Sequence, residues 1–202
     1  MRIKSLVVMS SLIFVLIFML IPMAGCNAVE NLTTSSSMIV IESITGTDLL
    51  GNTESTTVFS DVITTSGTVF NDTATAAIAA YLIDPEGTSS TVYQDVILDQ
   101  VDINFTRSDI ASPVQGRDVP YSFSQGISAR IPVGDTVSVG FVLVQHNSKL
   151  EPPLVELINY GQEHILRMEA HVTFHGKDVA GNRVQPVTGV ISVWFGNFGD
   201  DN

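Results

Sequence analysis

The stretch LRMEAHVTF, residues 166–174, alternates strictly between apolar and polar side chains. Its apolar positions are Leu166, Met168, Ala170, Val172 and Phe174, and its polar positions are Arg167, Glu169, His171 and Thr173. Successive side chains of a β-strand point to opposite faces of the sheet, so this period of two places every apolar residue on one side. The stretch therefore predicts a strand in a sheet that packs on one face and meets solvent on the other.

Most of the chain from Met38 onward has the same character. Short runs rich in Val, Ile, Thr and Phe alternate with turn clusters such as DPEG at 84–87 and VAGN at 179–182. The run TVSVGFVLV, residues 136–144, is the most apolar of them, and we expect it to be a central strand. Several strands at short spacing, without a long repeat, predict an all-β sandwich.

Two regions depart from simple alternation, and a third is longer than expected. In VILDQVDINF, residues 96–105, the apolar positions change parity, which predicts a bulge near Asp99 and Gln100. In PPLVELINYG, residues 152–161, the apolar spacing is helical and predicts one short crossover helix near 153–160. The segment from Met38 to Thr65 is longer than a minimal seven-strand module needs, so we expect an added N-terminal hairpin or edge strands.

The last part of the chain carries a turn signature. The stretch VTFHGKDVAGNRVQPVTGVISVWF, residues 172–195, resembles the closing hairpin of bacterial immunoglobulin-like and fibronectin-type-III-like modules, where a Lys/Thr-Asp-x-Ala-Gly-Asn turn is common. The resemblance implies an antiparallel immunoglobulin-like β-sandwich over residues 38–202. It concerns a turn and implies no active site.

The N-terminus has the three-part order of a secretory signal. Basic Arg2 and Lys4 precede an apolar run over 6–22, which is followed by the small residues Ala24 and Gly25. The tripeptide Ala24-Gly25-Cys26 resembles the lipobox of bacterial lipoproteins, with Met23 where Leu is usual. The resemblance implies a signal peptide over 1–25 and a lipid-modified Cys26. The small polar residues of 26–37 predict a flexible tether.

Two other interpretations of the N-terminus stay open. Residues 6–25 are long enough for an uncleaved transmembrane helix. A cleaved signal without lipid would instead leave an odd free thiol in an exported protein. We favour acylation, because two or three acyl chains anchor a protein stably whereas one does so only marginally. The protein is then exported and lipid-anchored to a bacterial membrane, and Asn27 favours the outer membrane, by resemblance to enterobacterial lipoproteins, where the organism has one.

The charge of the chain narrows the class of partner. The net charge is −12, and it becomes −14 once Arg2 and Lys4 leave with the signal, because residues 1–25 contain no acid. Such a surface repels nucleic acid. The expected partners are membrane lipid, through acylated Cys26, and an envelope protein or glycan. Since Cys26 is the only cysteine, its acylation precludes a disulfide.

The sequence carries only weak signals for a catalytic, cofactor-binding or metal-binding site. The sequence has no nucleophile elbow, phosphate loop, dinucleotide fingerprint or zinc spacing, so we predict no catalytic residue and no cofactor. His171 and His175 on one strand would stand roughly 13 Å apart, too far to share a metal. Asp95, Asp99 and Asp102 are weak calcium candidates without the Gly-punctuated spacing of a dedicated loop. A solvated acidic edge is the alternative interpretation.

The same hairpin yields the one candidate binding face. A four-residue loop over 179–182 would pair Asp178 with Arg183, which places Trp194 opposite Arg167 and Val190 opposite His171. All four side chains would then lie on the outer face of the sheet. One hypothesis is that they form a partner-binding face. The other is that residues 154–160 cover Trp194.

Two function classes follow from these patterns. The first is a membrane-anchored, non-enzymatic binding or scaffolding module of the cell envelope. The second is an accessory carbohydrate-binding or hydrolase-associated sandwich whose site is built from scattered residues. We favour the first, because catalysis requires reactive groups brought together in a pocket and no stretch of the sequence indicates one.

Overall fold

The computed structural model describes residues 34–47, 54–86, 89–160 and 163–198. The predicted signal peptide, Cys26 and the tether as far as residue 33 lie outside these ranges. Every element described here belongs to one unit that begins at Ser35. Among the described residues, no helix has both the length and the apolar character needed to cross a bilayer.

The described residues are organised mainly as β-strands. In chain order the strands are β1 (Ser37–Gly46), β2 (Thr57–Asp61), β3 (Asp72–Leu82), β4 (Val96–Thr106), β5 (Phe123–Ile131), β6 (Thr136–Val144), β7 (Leu166–Asp178) and β8 (Val187–Gly196). The helices are short: α1 (His146–Lys149) and two 3₁₀ helices, Val92–Gln94 and Leu154–Asn159. The second 3₁₀ helix lies between β6 and β7, which confirms the predicted crossover helix.

The strands form two packed sheets, which confirms the all-β sandwich. One sheet has the order β1-β3-β6 and the other β2-β8-β7-β4-β5. A β8-β7-β4-β5 sheet facing β3 and β6 has the strand order of the extended sheet of an immunoglobulin variable-type domain. All neighbours pair antiparallel except β2 and β8, which pair parallel. The sandwich is therefore antiparallel apart from this one pair.

The N-terminal segment supplies edge strands and not a hairpin. β1 lies at the edge of the three-stranded sheet, and β2 lies at the edge of the five-stranded sheet. The domain also begins earlier than residue 38: Ser35 donates its amide proton to Arg183 O at 2.9 Å, and the Ser37 hydroxyl donates to Gln94 O at 2.6 Å. Residues 35–37, assigned to the tether from sequence, are thus part of the sandwich.

The expectation that residues 136–144 form a central strand is wrong. Val139, Phe141, Leu143 and Val144 are buried, yet β6 lies at the edge of its sheet. The open edge of β6 is met by a side chain: Gln125 of β5 donates to Val142 O at 2.7 Å and accepts from Val142 N at 3.2 Å. One amide side chain therefore serves Val142 as a neighbouring strand would.

The core lies between the inner faces of the two sheets. Its aromatic residues meet edge to face, Phe105 with Phe195 at 6.0 Å between ring centroids and Phe141 with Phe174 at 5.6 Å. The small side chains of β3, Ala74, Ala76 and Ala80, are buried in the same cluster. Alanines on one sheet leave room for large side chains on the other, as close packing requires.

The predicted bulge in β4 is confirmed. The register of β4 with β7 shifts between Leu98 and Gln100, where Asp99 is the extra residue. In the pairing with β5 the shift at the same place has the opposite sense, because Ile127 and Ser128 of β5 stand opposite Asp99. The shift lets both apolar sets of β4 enter the core: Val96, Leu98, Val101, Ile103 and Phe105 are each at most 2% exposed. Gly176 lies opposite Leu98, where a Cβ would stand 2.6 Å from the backbone oxygen of Ile97. A side chain cannot be added there without moving backbone.

The closing hairpin has the predicted register but a different turn. Trp194 pairs with Arg167 and Val190 with His171, as expected. At the turn, however, Arg183 pairs with Lys177 and not with Asp178. Asp178 instead accepts hydrogen bonds from the backbone and side chain of Asn182, and these lower its pKa although burial opposes ionisation. The register changes by one residue on the segment that contains Pro186, which offers no amide proton to the ladder.

We expect Gly176→Ala to destabilise the domain by about 1–3 kcal/mol, the usual cost of overpacking a closely packed site. Gly126→Ala is the matched control, because Gly126 of β5 pairs with Gln100 on the other side of β4 and has open space around it. Urea unfolding of both variants checks this. Equal midpoints for Gly176→Ala and the unmodified protein would contradict the close approach.

Candidate functional site

The outer face of the five-stranded sheet brings the predicted residues together. Trp194 and Val190 on β8 lie beside Arg167 and His171 on β7. Val190 is 51% exposed, whereas Trp194 and His171 are half-buried. The face therefore has an exposed aliphatic side chain next to a partly shielded indole.

A row of three aromatic rings and one guanidinium crosses this face at its β2 edge. Phe59 meets Trp194 edge to face at 5.2 Å between ring centroids and Phe198 at 5.7 Å. On the other side of the indole, the guanidinium carbon of Arg167 lies 4.3 Å from its ring centroid. We call Phe198, Phe59, Trp194 and Arg167 the aromatic row.

Each member of the aromatic row is positioned by the sheet. The parallel pairing of β2 with β8 places Phe59 beside Trp194, and the antiparallel pairing of β7 with β8 places Arg167 on the opposite side. Phe198 follows β8, and its amide donates to Asp61 Oδ1 at 3.2 Å. The cation–π contact of Arg167 is worth about 0.5–1 kcal/mol at an exposed site.

Sequence reasoning missed Phe59 and Phe198. A signal for Phe59 exists in TVFSD, residues 57–61, where Val58 and Ser60 are buried at 1% and 0% exposure, so that Phe59 must face outward. Its neighbour could not be inferred, because pairing between distant parallel strands leaves no local pattern. The contact partners of the indole are thus non-local.

Residues 154–160, the proposed cover of Trp194, direct their large apolar side chains elsewhere. Leu154 and Leu157 of that segment are directed into the core, at 0% and 6% exposure. The aromatic and cationic contacts of the indole come from Phe59 and Arg167. The indole is therefore shielded by the two neighbouring strands of its own sheet.

The middle of the face is polar and internally hydrogen-bonded. His171 Nε2 lies 3.0 Å from Thr106 Oγ1, and His175 Nε2 lies 2.8 Å from Asp102 Oδ2. Gln100 donates to Asp102 Oδ1 at 2.7 Å. Partial burial opposes ionisation of Asp102, but hydrogen bonds from Ser124, Gln100 and His175 lower its pKa. The two histidines have separate partners and do not converge on one point.

The three weak metal candidates do not form a set. Asp95 accepts two hydrogen bonds from Arg130, at 2.6 and 3.0 Å, and one from the Val133 amide. Asp99 is the bulged residue and is exposed, while Asp102 binds His175. In the part of the chain that the structure describes, no group of three or more His, Cys, Asp or Glu side chains is placed to hold a metal ion.

A shallow cavity lies at the β5–β6 side of the sandwich. Its volume is about 200 Å³, and it is lined by Asn71, Gln125, Val142, Gln145, His146 and Asn147. Ligand pockets of enzymes and cofactor proteins are usually about 300–1,000 Å³ and mostly apolar. This cavity is smaller and polar, and it has no carboxylate in its lining.

The outer face therefore combines a shielded aromatic row, an exposed valine and a hydrogen-bonded polar centre. Such a surface can bind a flat partner through Arg, Trp and aliphatic contacts, which are typical interface anchors. Searches against protein-family models, curated proteins and solved structures found no match to the chain.

We expect Phe59→Ala to shift the emission of Trp194, the only tryptophan in the chain, to longer wavelength and to increase its quenching by acrylamide. The reason is that Phe59 shields one side of the indole, in an aromatic pair worth about 0.5–1.5 kcal/mol beyond its buried area. Phe70→Ala is the control, because it removes the same side chain from an exposed position, where Phe70 is 60% exposed. An unchanged spectrum for Phe59→Ala would contradict the shielding.

Proposed function

We propose that the protein is an exported lipoprotein whose immunoglobulin-like sandwich binds or scaffolds a partner in the cell envelope without catalysing a reaction. The observation that carries the proposal is the outer face of the five-stranded sheet, where Val190 is exposed between the aromatic row and the polar centre. Aromatic, Arg and aliphatic side chains held in place by a rigid sheet suit recognition, since little side-chain entropy is lost on binding.

The anchor part of the proposal rests on the N-terminal sequence. Ala24, Gly25 and Cys26 follow a long apolar run, and the folded unit begins at Ser35. If residues 26–34 form the flexible tether that their composition predicts, their root-mean-square reach is about 16 Å. An acylated Cys26 would therefore hold the sandwich close to the membrane surface and concentrate it against other envelope components.

The carbohydrate-binding alternative has less support. A sugar ring stacks on an open aromatic face, but the indole of Trp194 is flanked by Arg167 and by Phe59. The polar cavity near Gln125 is small. A protein surface, which needs area more than depth, fits the outer face better.

We expect Cys26→Ser to abolish incorporation of labelled palmitate and to leave the precursor uncleaved or the protein free of the membrane, because only the thiol accepts the diacylglyceryl group. Metabolic labelling followed by membrane fractionation measures both effects. Ser35→Ala, at the start of the folded unit, is the control and should keep the label. Label retained on Cys26→Ser would overturn the anchor.

The binding face is tested with a photo-crosslinking amino acid placed at Val190 in intact cells. We expect a discrete crosslinked species from position 190 and none from Val40, which is 38% exposed on the outer face of the opposite sheet. Arg167→Ala should reduce the yield at position 190, because it removes an anchor of the same face. Equal crosslinking from positions 190 and 40 would contradict a specific face.

A further inference from the structure

A buried lysine lies at the end of the sandwich away from the closing hairpin turn. Lys149, the last residue of α1, is 1% exposed, although lysine is almost never fully buried without a partner. Its Nζ lies 2.9 Å from Asp72 Oδ1, at the start of β3, and 2.8 Å from the backbone oxygen of Asp61, at the end of β2. Lys149 is not part of the outer face described above.

The short helix is held against the start of β3 at two points. Asn71 Oδ1 accepts from the backbone nitrogen of His146 at 2.7 Å and lies 3.1 Å from His146 Nδ1. The adjacent residue, Asp72, accepts from Lys149. These contacts fix the amine and the carboxyl relative to each other, so their approach is part of the fold and not a passing encounter of surface chains.

Asp72 has an unusual environment for a carboxylate. Its Oδ2 is buried, as are Ser60 Oγ and Asp61 Oδ2. Burial raises the pKa of Asp72, with the Lys149 ammonium opposing the rise and the nearby Asp61 carboxyl adding to it. Two carboxyl groups and one amine therefore share a site from which water is largely excluded, and the neutral acid is favoured there.

We propose that Lys149 and Asp72 become joined by an intramolecular isopeptide bond between Lys149 Nζ and Asp72 Cγ. The proposal concerns the interior of the sandwich and does not depend on the proposed envelope function. A buried ammonium–carboxylate pair is costly to desolvate, and conversion to a neutral amide removes both charges. The fold supplies the proximity and orientation that make such a condensation effectively unimolecular.

The step balances without any outside reagent. One proton passes from the ammonium of Lys149 to the carboxylate of Asp72, which gives a neutral amine and a neutral acid. The amine lone pair attacks Cγ and forms the C–N bond, and the resulting tetrahedral centre loses one oxygen as water. The ammonium and carboxylate thus become one amide and one water molecule, with no change of oxidation state.

Asp61 is suited to carry the proton in this step. It ends β2, its backbone oxygen accepts from Lys149 Nζ at 2.8 Å, and its Oδ2 is buried, as is Oδ2 of Asp72. A carboxyl group in that position can accept a proton from the attacking nitrogen and return it to the departing oxygen. Asp61 would then be a catalytic residue of the self-modification.

The bond would link β3 of one sheet to the crossover that leads to the other sheet, closing a loop between positions 72 and 149. A cross-link over so long a loop restricts the unfolded chain more than a local one, although the gain grows only slowly with loop length. For a domain whose single cysteine is outside the sandwich, it would take the place that a disulfide holds in other exported domains.

The test is peptide mapping by mass spectrometry of the full-length protein, purified in detergent and digested after denaturation. We expect the peptide containing Lys149 to be joined to the peptide containing Asp72, at the sum of their masses less one water. Lys149→Arg keeps the positive charge and should give two separate peptides. Asp72→Asn should give the same joined product by losing ammonia in place of water.

Asp61→Asn tests the proton carrier. We expect its joined fraction to fall at least tenfold at the same time after synthesis, while the far-ultraviolet circular dichroism spectrum shows a folded sandwich. A joined fraction equal to that of the unmodified protein would remove Asp61 from the mechanism. Separate, unmodified peptides in the folded unmodified protein would overturn the proposal and leave Lys149 and Asp72 as an ion pair, whatever the variants do.

Discussion

The register shift at Asp99 is the constraint on which the rest of the sandwich depends. β4 lies between β5 and β7, and both neighbours adjust at Asp99: β7 places one residue fewer against β4, and β5 places one residue more. Without the extra residue, a strand with period two could bury either Leu98 or Val101, but not both. With it, both sets enter the core. Gly176 completes the arrangement by letting β7 approach the backbone of Ile97.

The edge strands β2 and β6 are arranged differently in the two sheets. β2 extends the five-stranded sheet beyond β8 in parallel, and its Phe59 contributes to the aromatic row. β6 is an edge strand of the other sheet, and the Gln125 side chain hydrogen-bonds to the backbone amide and carbonyl of its Val142. Unpaired strand edges invite association with other chains, and the Gln125 contacts occupy one pair of edge groups on β6.

Much of the fold was predictable because its signals are local. The alternation of residues 166–174, the parity change at Asp99 and the helical spacing of residues 154–158 each lie within one element, and each was confirmed. The pairing of Arg167 with Trp194 was also predictable, because a short turn fixes the register of a hairpin. Even there the turn itself differed, since Asn182 binds the Asp178 carboxylate and moves the first pair to Lys177 and Arg183.

What the sequence did not predict comes from contacts between distant segments. The edge position of β6 and the parallel partner of β2 depend on the order of strands, which composition does not encode. Phe59 and Phe198 join the candidate face only through that order. Lys149 looks like an ordinary surface lysine in sequence, and its burial against Asp72 follows from α1 docking on the start of β3.

The parallel pairing of β2 with β8 also has a mechanical consequence. Their five residue pairs run from Thr57 with Ser192 to Asp61 with Gly196. A pull between the N-terminal side of β2 and the C-terminal end of β8 would slide the two strands along each other, so that all of these backbone hydrogen bonds bear load together. Peeling would break them one at a time at lower force. Strain applied across these two strands would thus meet the sandwich in its more resistant direction.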